Sequence, residues 1–291
     1  MSLYANLDRP PLSETGLGRA LTRTTGPGSP LWTDVRVVGE TGSTNADVAA
    51  AAGKGAPEGL VITADFQGAG RGRRDRSWVS PPRAGISVSM LLRPAPVPVT
   101  RWGWLSLLAG VAAARAIGRV AEVAMALKWP NDLLAGEPDG PGFGKVAGIL
   151  AEVIGTGDEA AVVLGIGLNV TNTADELPVR TGLPATSLRL AGAANTDRDT
   201  LLRALLRQIA TDYERWRDAG GDPDESGLRS AYQEFCQTVG QRVRVELPNG
   251  RELVGEGVDV DEDGRLVVRG DGGALTAVSA GDVTHVRPSR G

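Results

Sequence analysis

The stretch from Gln67 to Ser80 places four arginines among glycines, between two apolar, strand-like runs. Glycine permits backbone conformations that turn N–H groups toward a ligand, and the planar arginine side chain matches the oxygens of carboxylates and phosphates. Gln67 before the glycines and Trp78 after the arginines add an amide and an aromatic face. A solvated basic loop is the alternative for such a run. The neighbouring residues favour an anion-binding loop between two strands.

The overall composition limits which anion this loop can serve. The 291 residues carry a formal net charge of -4, so the chain as a whole is not attracted to nucleic acid or acidic lipid. A local arginine cluster on such a chain predicts a small anion. The single cysteine, Cys236, and the single histidine, His285, exclude an intramolecular disulfide and a Cys/His zinc site. His285 lies in a short alternating run near the C-terminus and is expected to be structural.

The N-terminal residues and the longest apolar run bear on location and partners. Residues 1–30 are rich in Pro, Gly, Ser and Thr and predict a flexible tail, with at most one short helix around Glu14 to Thr22. Such a tail has no room for a three-helix DNA-binding module. The apolar run from Trp104 to Ala114 ends at Arg115, short of the roughly 20 residues of a membrane span. We therefore expect a cytoplasmic protein with no DNA and no membrane partner.

Periodicity divides the rest of the chain into two regions. The first has mixed elements: strands at 32–38, 60–66, 86–90, 145–153 and 160–167, and helices at 46–52, 102–120, 197–216 and 228–236. From about Val239 onward, five short strands follow at regular spacing, which predicts a small antiparallel barrel of about 50 residues. The expected domains are thus residues 31–238 and 239–291.

Polar residues gather at three further points between these elements. Ser43, Thr44 and Asn45 precede a helix, where capping explains one of them and ligand binding would explain all three. Lys128 ends a strand before Trp129-Pro130-Asn131-Asp132; it could face a phosphate site or form a surface ion pair with Asp132. A second lysine, Lys145, begins the next strand, and Asn169 ends another and could read a base edge.

Taken together, these motifs resemble the biotin protein ligases. The resemblance covers residues 31–288 and depends on Gly42-Ser43-Thr44-Asn45, Gln67 with Gly70-Arg71-Gly72-Arg73-Arg74, Lys128-Trp129-Pro130-Asn131-Asp132, Lys145-Val146-Ala147-Gly148-Ile149-Leu150 and Gly165-Ile166-Gly167-Leu168-Asn169. It implies an α+β fold with a catalytic domain like class II synthetases, a mixed β-sheet with flanking helices, followed by an SH3-like barrel. It also implies activation of biotin by ATP as biotinyl-5'-AMP, and its transfer to a lysine of a biotin carboxyl carrier domain.

The resemblance assigns roles to these residues. It implies that Ser43, Thr44, Asn45 and Gln67 hold the ureido ring of biotin, and that Arg71, Gly72 and Arg73 surround its carboxylate and the α-phosphate. It further implies that Lys145, assisted by Lys128, contacts the reacting oxygens and that Trp78 packs on adenine. Asn131 and Asn169 are candidates for adenine or phosphate contacts. Asp132 is the candidate ligand of Mg²⁺ and the candidate general base.

Other readings stay open at this stage. A lipoate-type ligase shares the adenylation chemistry, although the Ser43-Thr44-Asn45 trio suits a ureido ring better than a dithiolane. A nucleic-acid-binding adaptor without catalysis would also use an arginine loop and a small barrel. The family commonly has glycine where this chain has Asp75, and that extra carboxylate is expected to pair with Arg74 or Arg76. The resemblance leaves a homodimer open as the assembly.

Overall fold

The computed structural model describes residues 9–23, 30–73, 76–136, 142–179, 183–247, 250–279 and 282–285. Its helices are α1 Glu14–Leu21, α2 Thr44–Ala52, α3 Trp104–Ala121, α4 Arg198–Asp218 and α5 Leu228–Phe235. Its strands are β1 Asp34–Thr41, β2 Leu60–Gln67, β3 Gly85–Leu92, β4 Ala124–Lys128, β5 Asp132–Gly136, β6 Gly144–Ile154, β7 Ala161–Asn169, β8 Arg242–Glu246, β9 Glu252–Val260, β10 Leu266–Gly270, β11 Leu275–Val278 and β12 Asp282–His285. Short 3₁₀ helices lie at Val99–Gly103, Gly157–Glu159 and Ala174–Glu176.

The larger sheet has the strand order β1-β2-β3-β7-β6-β5-β4. β1 and β2 are parallel and are joined by α2, whereas the other neighbours are antiparallel. This is the mixed sheet that the sequence predicted. The strand β5 was missed, because Asp132 and the residues after it were assigned to a turn and a Gly/Pro loop.

The two faces of this sheet are covered differently. On one face, Val88 and Met90 of β3 and Leu164 and Ile166 of β7 join the main hydrophobic core with α3 and α4. On the other face, α2 packs a small apolar cluster around Val48. Because α2 has only nine residues, it covers only part of this face. The remainder is the floor of a cavity described below.

The N-terminal segment is part of the folded domain over its described residues. Leu12, Leu17 and Leu21 are buried in the main core, and α1 contacts β1 and α4. Arg9 forms an ion pair with Glu176 at 2.7 Å. The prediction of a flexible tail is therefore wrong for residues 9–23, because α1 is an amphipathic helix whose apolar face packs against β1 and α4.

The helix α3 is the most apolar element of the chain. Together with the preceding 3₁₀ turn, the run Val99–Ala121 is 23 residues long and apolar enough to cross a membrane, which the shorter run considered in the sequence was not. Its apolar window is 72% buried inside the protein, against α4, α5 and the sheet. Core packing thus accounts for its composition.

The C-terminal strands form a five-stranded antiparallel sheet in the order β11-β10-β9-β8-β12. Alternate side chains such as Val243 and Val245 of β8 are buried, as the period of two predicted. The turn that joins β9 to β10 contacts the part of the chain that forms the large sheet and its helices: Trp104 Nε1 donates to the carbonyl oxygen of Glu262 at 3.0 Å, and Trp129 Nε1 donates to that of Gly264 at 3.1 Å. Two buried tryptophans therefore hold this sheet beside the large one.

Candidate active site

A cavity of about 830 Å³ lies on the face of the large sheet that α2 leaves uncovered. Its walls come from segments that are far apart in sequence. The predicted site residues that line it are Ser43, Thr44, Asn45, Gln67, Arg71, Gly72, Arg73, Trp78, Lys128, Asn131, Asp132 and Lys145. The fold therefore brings together all of the predicted residues except Asn169.

The floor of the cavity is made of small side chains on three adjacent strands. Ser87 of β3 is the partner of Gly167 of β7, which is in turn the partner of Gly148 of β6. In the next row, Ser89 is the partner of Gly165. Residues two apart on a strand share a face, so these rows lie opposite the apolar core. Because glycine has no side chain, the side chains that line the cavity can lie directly against the backbone at these positions.

One end of the cavity is a network of hydrogen bonds around the start of α2. The backbone N–H of Thr44 donates to Gln67 Oε1 at 2.9 Å, and its hydroxyl oxygen lies 3.1 Å from the same atom. The hydroxyl of Thr44 lies 2.7 Å from that of Ser89, which donates to Asn45 Oδ1 at 2.6 Å. Asn45 Nδ2 donates to Glu152 Oε2 at 2.6 Å. Ser43 caps the helix through a 3.5 Å contact with the N–H of Ala46, so capping explains Ser43 but not Thr44 or Asn45.

The arginine loop folds back on itself over its described residues. Arg71 forms an isolated β-bridge with Ser77, and the N–H of Gly72 donates to the carbonyl oxygen of Arg76 at 2.6 Å. Arg71 Nη2 lies 4.0 Å from Glu152 Oε1, and its side chain is 54% exposed. The predicted pairing of Asp75 with Arg74 or Arg76 lies outside the described residues.

Trp78 lies flat on the glycine floor. A Cβ atom on Gly167 would come within 2.4 Å of Trp78 Nε1, and one on Gly148 would come within 3.2 Å of its ring. Lys145 Nζ is 5.8 Å from the centroid of the indole ring, a distance at which a cation is attracted by the aromatic face. The two glycines therefore admit the indole to this position, next to a cationic group.

The cationic groups of the cavity have distinct partners. Lys145 Nζ forms an ion pair with Asp132 Oδ1 at 2.5 Å, and both side chains are largely buried. Lys128 Nζ donates to the carbonyl oxygen of Val283 in β12, also at 2.5 Å. The carboxylate of Asp132 thus sits within the cavity and is paired with Lys145, not at the protein surface as the alternative reading of Lys128 and Asp132 required. The C-terminal sheet reaches the site through its contact with Lys128.

The two predicted asparagine contacts are placed differently. Asn131 lines the cavity, and its Nδ2 donates to the carbonyl oxygen of Ile149 at 2.8 Å. Asn169 is buried, donates to the carbonyl oxygen of Thr186 at 3.0 Å and lines a small separate cleft beside Trp78. Asn169 therefore lies outside the large cavity, in a cleft that it shares with Trp78 and Lys145.

The sequence reading missed Ser89 and Glu152. Ser89 is fully buried at the centre of the polar network, and Glu152 receives the hydrogen bond of Asn45. A signal for Ser89 was present: in the alternation Ser87-Val88-Ser89-Met90, the polar face of β3 lies against the site. Glu152 had no such signal, because its role depends on the pairing of β6 with β7.

Comparison with known proteins agrees with this geometry. The model of the biotin/lipoate A/B protein ligase family matches residues 43–169, and that of the biotin protein ligase C terminal domain matches residues 238–286. The chain is 44% identical to the biotin–[acetyl-CoA-carboxylase] ligase of Mycobacterium tuberculosis over 283 residues, which span 96% of this chain and 97% of that protein. This chain belongs to the biotin protein ligase family.

Other biotin protein ligases extend the comparison. The biotin–[acetyl-CoA-carboxylase] ligase of Paracoccus denitrificans is 31% identical over 241 residues, which cover 81% of this chain and 95% of that one. The structure of the biotin protein ligase from Aquifex aeolicus in complex with biotin and ATP superimposes with a TM-score of 0.68 at 24% identity, covering 88% of this chain and all of that chain. This similarity shows that the two proteins share a fold. The predicted mixed α/β architecture with a C-terminal antiparallel β domain is confirmed.

Proposed function

We propose that this chain is an ATP-dependent biotin–[acetyl-CoA-carboxylase] ligase. One observation carries the proposal: a single cavity gathers cationic side chains from three separate segments at one end and a buried hydrogen-bonding network at the other. The named relatives support the same reaction. The ligase activates biotin as biotinyl-5'-AMP and transfers the biotinyl group to a lysine ε-amine.

The first half-reaction joins two anions. A carboxylate oxygen of biotin attacks the α-phosphorus of ATP, and the bond from that phosphorus to the bridging oxygen breaks, so that pyrophosphate leaves. The two reactants repel each other, and negative charge spreads over the phosphoryl oxygens in the transition state. Arg71, Arg73, Lys128 and Lys145 line the cavity and supply the opposing charge.

The second half-reaction is an acyl transfer. The ε-amine of the carrier lysine attacks the carbonyl carbon of the adenylate, the bond to the phosphate oxygen breaks and AMP leaves. The attacking amine must lose a proton. Asp132 is the proposed acceptor of this proton, since it is the one carboxylate among the described residues that line the cavity. Movement of Lys145 from Asp132 to the substrate oxygens would free this carboxylate.

The binding roles follow the two ends of the cavity. The polar end, with Ser43, Thr44, Asn45 and Gln67, is proposed to take the ureido ring. Arg71, Gly72 and Arg73 are proposed to surround the biotin carboxylate and the α-phosphate. Trp78 is the proposed partner of adenine, with Asn131 and Asn169 as candidates for adenine or phosphate contacts.

Magnesium is proposed to enter as the counter-ion of ATP. The described residues contain no group of three or more His, Cys, Asp or Glu side chains that could hold a metal ion. Asp132 Oδ1 already accepts from Lys145, which leaves Oδ2 as a single carboxylate oxygen. Mg²⁺ prefers one or two carboxylates together with phosphate oxygens, and Asp132 fits that demand only when ATP supplies the rest.

The remaining expectations concern partners and surroundings. We infer that the acceptor is the biotin carboxyl carrier domain of acetyl-CoA carboxylase or a related carboxylase, and that the C-terminal sheet closes as an SH3-like barrel beside the site. A cytoplasmic location and a homodimeric assembly stay predictions. The domain limits near residues 30 and 238 are likewise proposals.

The test is the exchange of labelled pyrophosphate into ATP, with biotin and lipoate compared in parallel. Exchange that depends on biotin, followed by labelling of a carrier domain, is the expected result. Exchange with lipoate alone would reassign the acid substrate to the lipoate-type alternative. No exchange with either acid would contradict the ligase reaction.

A further inference from the structure

Four side chains form a continuous line of hydrogen bonds that leaves the cavity. Thr44 contacts Ser89 at 2.7 Å, Ser89 donates to Asn45 at 2.6 Å, and Asn45 donates to Glu152 at 2.6 Å. We call these four residues the relay. The first three are buried, whereas the side chain of Glu152 is 38% exposed and is not among the residues that line the cavity.

The chemistry of Glu152 decides the direction of every bond in the relay. A carboxylate accepts hydrogen bonds and donates none, so the amide nitrogen of Asn45 must face Glu152. The amide oxygen of Asn45 then faces Ser89, and because this oxygen also only accepts, the single hydroxyl proton of Ser89 must point to it. Ser89 can therefore meet Thr44 only as an acceptor. The single hydroxyl proton of Thr44 has Ser89 at 2.7 Å and Gln67 Oε1 at 3.1 Å within reach, and it points to Ser89, because the shorter contact needs a proton between the two oxygens.

The relay ends at the cavity with a defined polarity. Since its proton is directed away, the hydroxyl of Thr44 offers lone pairs to a ligand. A cyclic urea has N–H groups that need such acceptors, whereas a dithiolane has none. We propose that Glu152 sets this polarity and thereby makes the polar end of the cavity specific for the N–H donors of a ureido ring. The inference rests on the proposed function and makes Glu152 a positioning residue.

The variant Glu152→Gln tests this role. It keeps the size of the side chain, but its amide can donate as well as accept, so that the amide of Asn45 and the hydroxyls beyond it can reverse. The site then loses about one correctly directed hydrogen bond, and we expect the KM for biotin in pyrophosphate exchange to rise about tenfold. The KM for ATP and the unfolding temperature should change little.

A competing explanation comes from Arg71, whose guanidinium lies 4.0 Å from Glu152. Loss of this contact would act at the anion end and change the KM for ATP as strongly as that for biotin. An equal rise in both values would overturn the proposal, because it would show that Glu152 acts through Arg71 and not through the hydrogen bonds of the relay.

Ser89→Ala interrupts the same relay and leaves the contact between Glu152 and Arg71 in place. We expect this variant to raise the KM for biotin by about tenfold as well. The double variant with Glu152→Gln and Ser89→Ala should show about the same tenfold rise, because both substitutions interrupt the same chain of hydrogen bonds. A hundredfold rise in the double variant would show two independent effects and would overturn the relay.

The matched control is Glu256→Gln, at an exposed pair with Arg269 of 3.5 Å in the C-terminal sheet. It removes the same charge from a similar ion pair and should leave both KM values unchanged. If the unaltered protein and this control show no biotin-dependent exchange, the proposed function fails. If the unaltered protein and the control both show biotin-dependent exchange and Glu152→Gln has the same KM for biotin as they do, only the inference about Glu152 is refuted.

Discussion

Substitutions of two glycines on β7 should affect the two ends of the cavity separately. Gly165 and Gly167 lie two residues apart on β7 and share the face that forms the floor. A Cβ atom on Gly165 would lie 2.0 Å from Asn45 Oδ1, and one on Gly167 would lie 2.4 Å from Trp78 Nε1. Gly165→Ala should therefore impair biotin binding, and Gly167→Ala should impair ATP binding.

The size of the first effect follows from the hydrogen bonds of Asn45. Real Cβ atoms do not come within about 3.0 Å of other heavy atoms, so Asn45 must retreat by about 1 Å. Its bonds to Ser89 and Glu152 are both 2.6 Å long, and a movement of that size takes them beyond the normal range. Two lost hydrogen bonds cost about 1–3 kcal/mol, which corresponds to a KM for biotin raised by about 5- to 160-fold.

The expected effect of Gly167→Ala is smaller and appears in the KM for ATP. The added methyl group of Gly167→Ala lifts the indole of Trp78 from the floor and spoils its stacking on adenine. Aromatic stacking is worth about 0.5–1.5 kcal/mol, so the KM for ATP should rise about 2- to 12-fold. The KM for biotin should stay within about twofold of the unaltered value.

Both variants are measured by pyrophosphate exchange, with biotin and ATP varied in turn. The control is Gly39→Ala in β1, where an added methyl group meets no atom within 4 Å. If Gly165→Ala and Gly167→Ala raise both KM values by the same factor, or if Gly165→Ala matches the control, the division of the cavity into a biotin end and an adenine end is refuted.

Two further predictions concern charged groups. Lys145→Met should lower the exchange rate about 100-fold or more, because it removes the cation nearest the reacting oxygens; a rate within threefold of the original would contradict that role. Hydrogen bonding from Arg9 lowers the pKa of Glu176 from 4.5 to about 2, so this pair stabilises the fold above pH 4.5 and loses its effect as the pH falls toward 2. Glu176→Gln should lower the free energy of unfolding by about 1–2 kcal/mol at pH 7 and by less at pH 3. Urea titrations measure this difference, with Asp175→Asn as the control. A difference that does not change with pH would contradict the role of the ion pair.

Much of the architecture could be predicted from local pattern. The alternation of Ser87 to Met90 and the helical spacing of leucines in α4 were sufficient to place these elements, because a buried face repeats every two or every 3.6 residues. The strand β5 was not recognised, since its run Leu133-Leu134-Ala135 is apolar throughout and shows no alternation. The helix α1 was expected, but its burial was not, because a short helix is stable only against a surface that other parts of the chain provide.

For the candidate site as well, some features follow from the sequence and others from the tertiary structure. By itself the sequence determined the chemical groups of the site, because arginines among glycines, a small polar trio and two lysines at strand ends are properties of short segments. Only the tertiary structure decided that Lys145 pairs with Asp132, that the amide of Asn169 donates to the backbone of Thr186 and that Asn45 donates to Glu152. These relations depend on which strands are neighbours and in which register, and register is set by contacts between residues far apart in the chain.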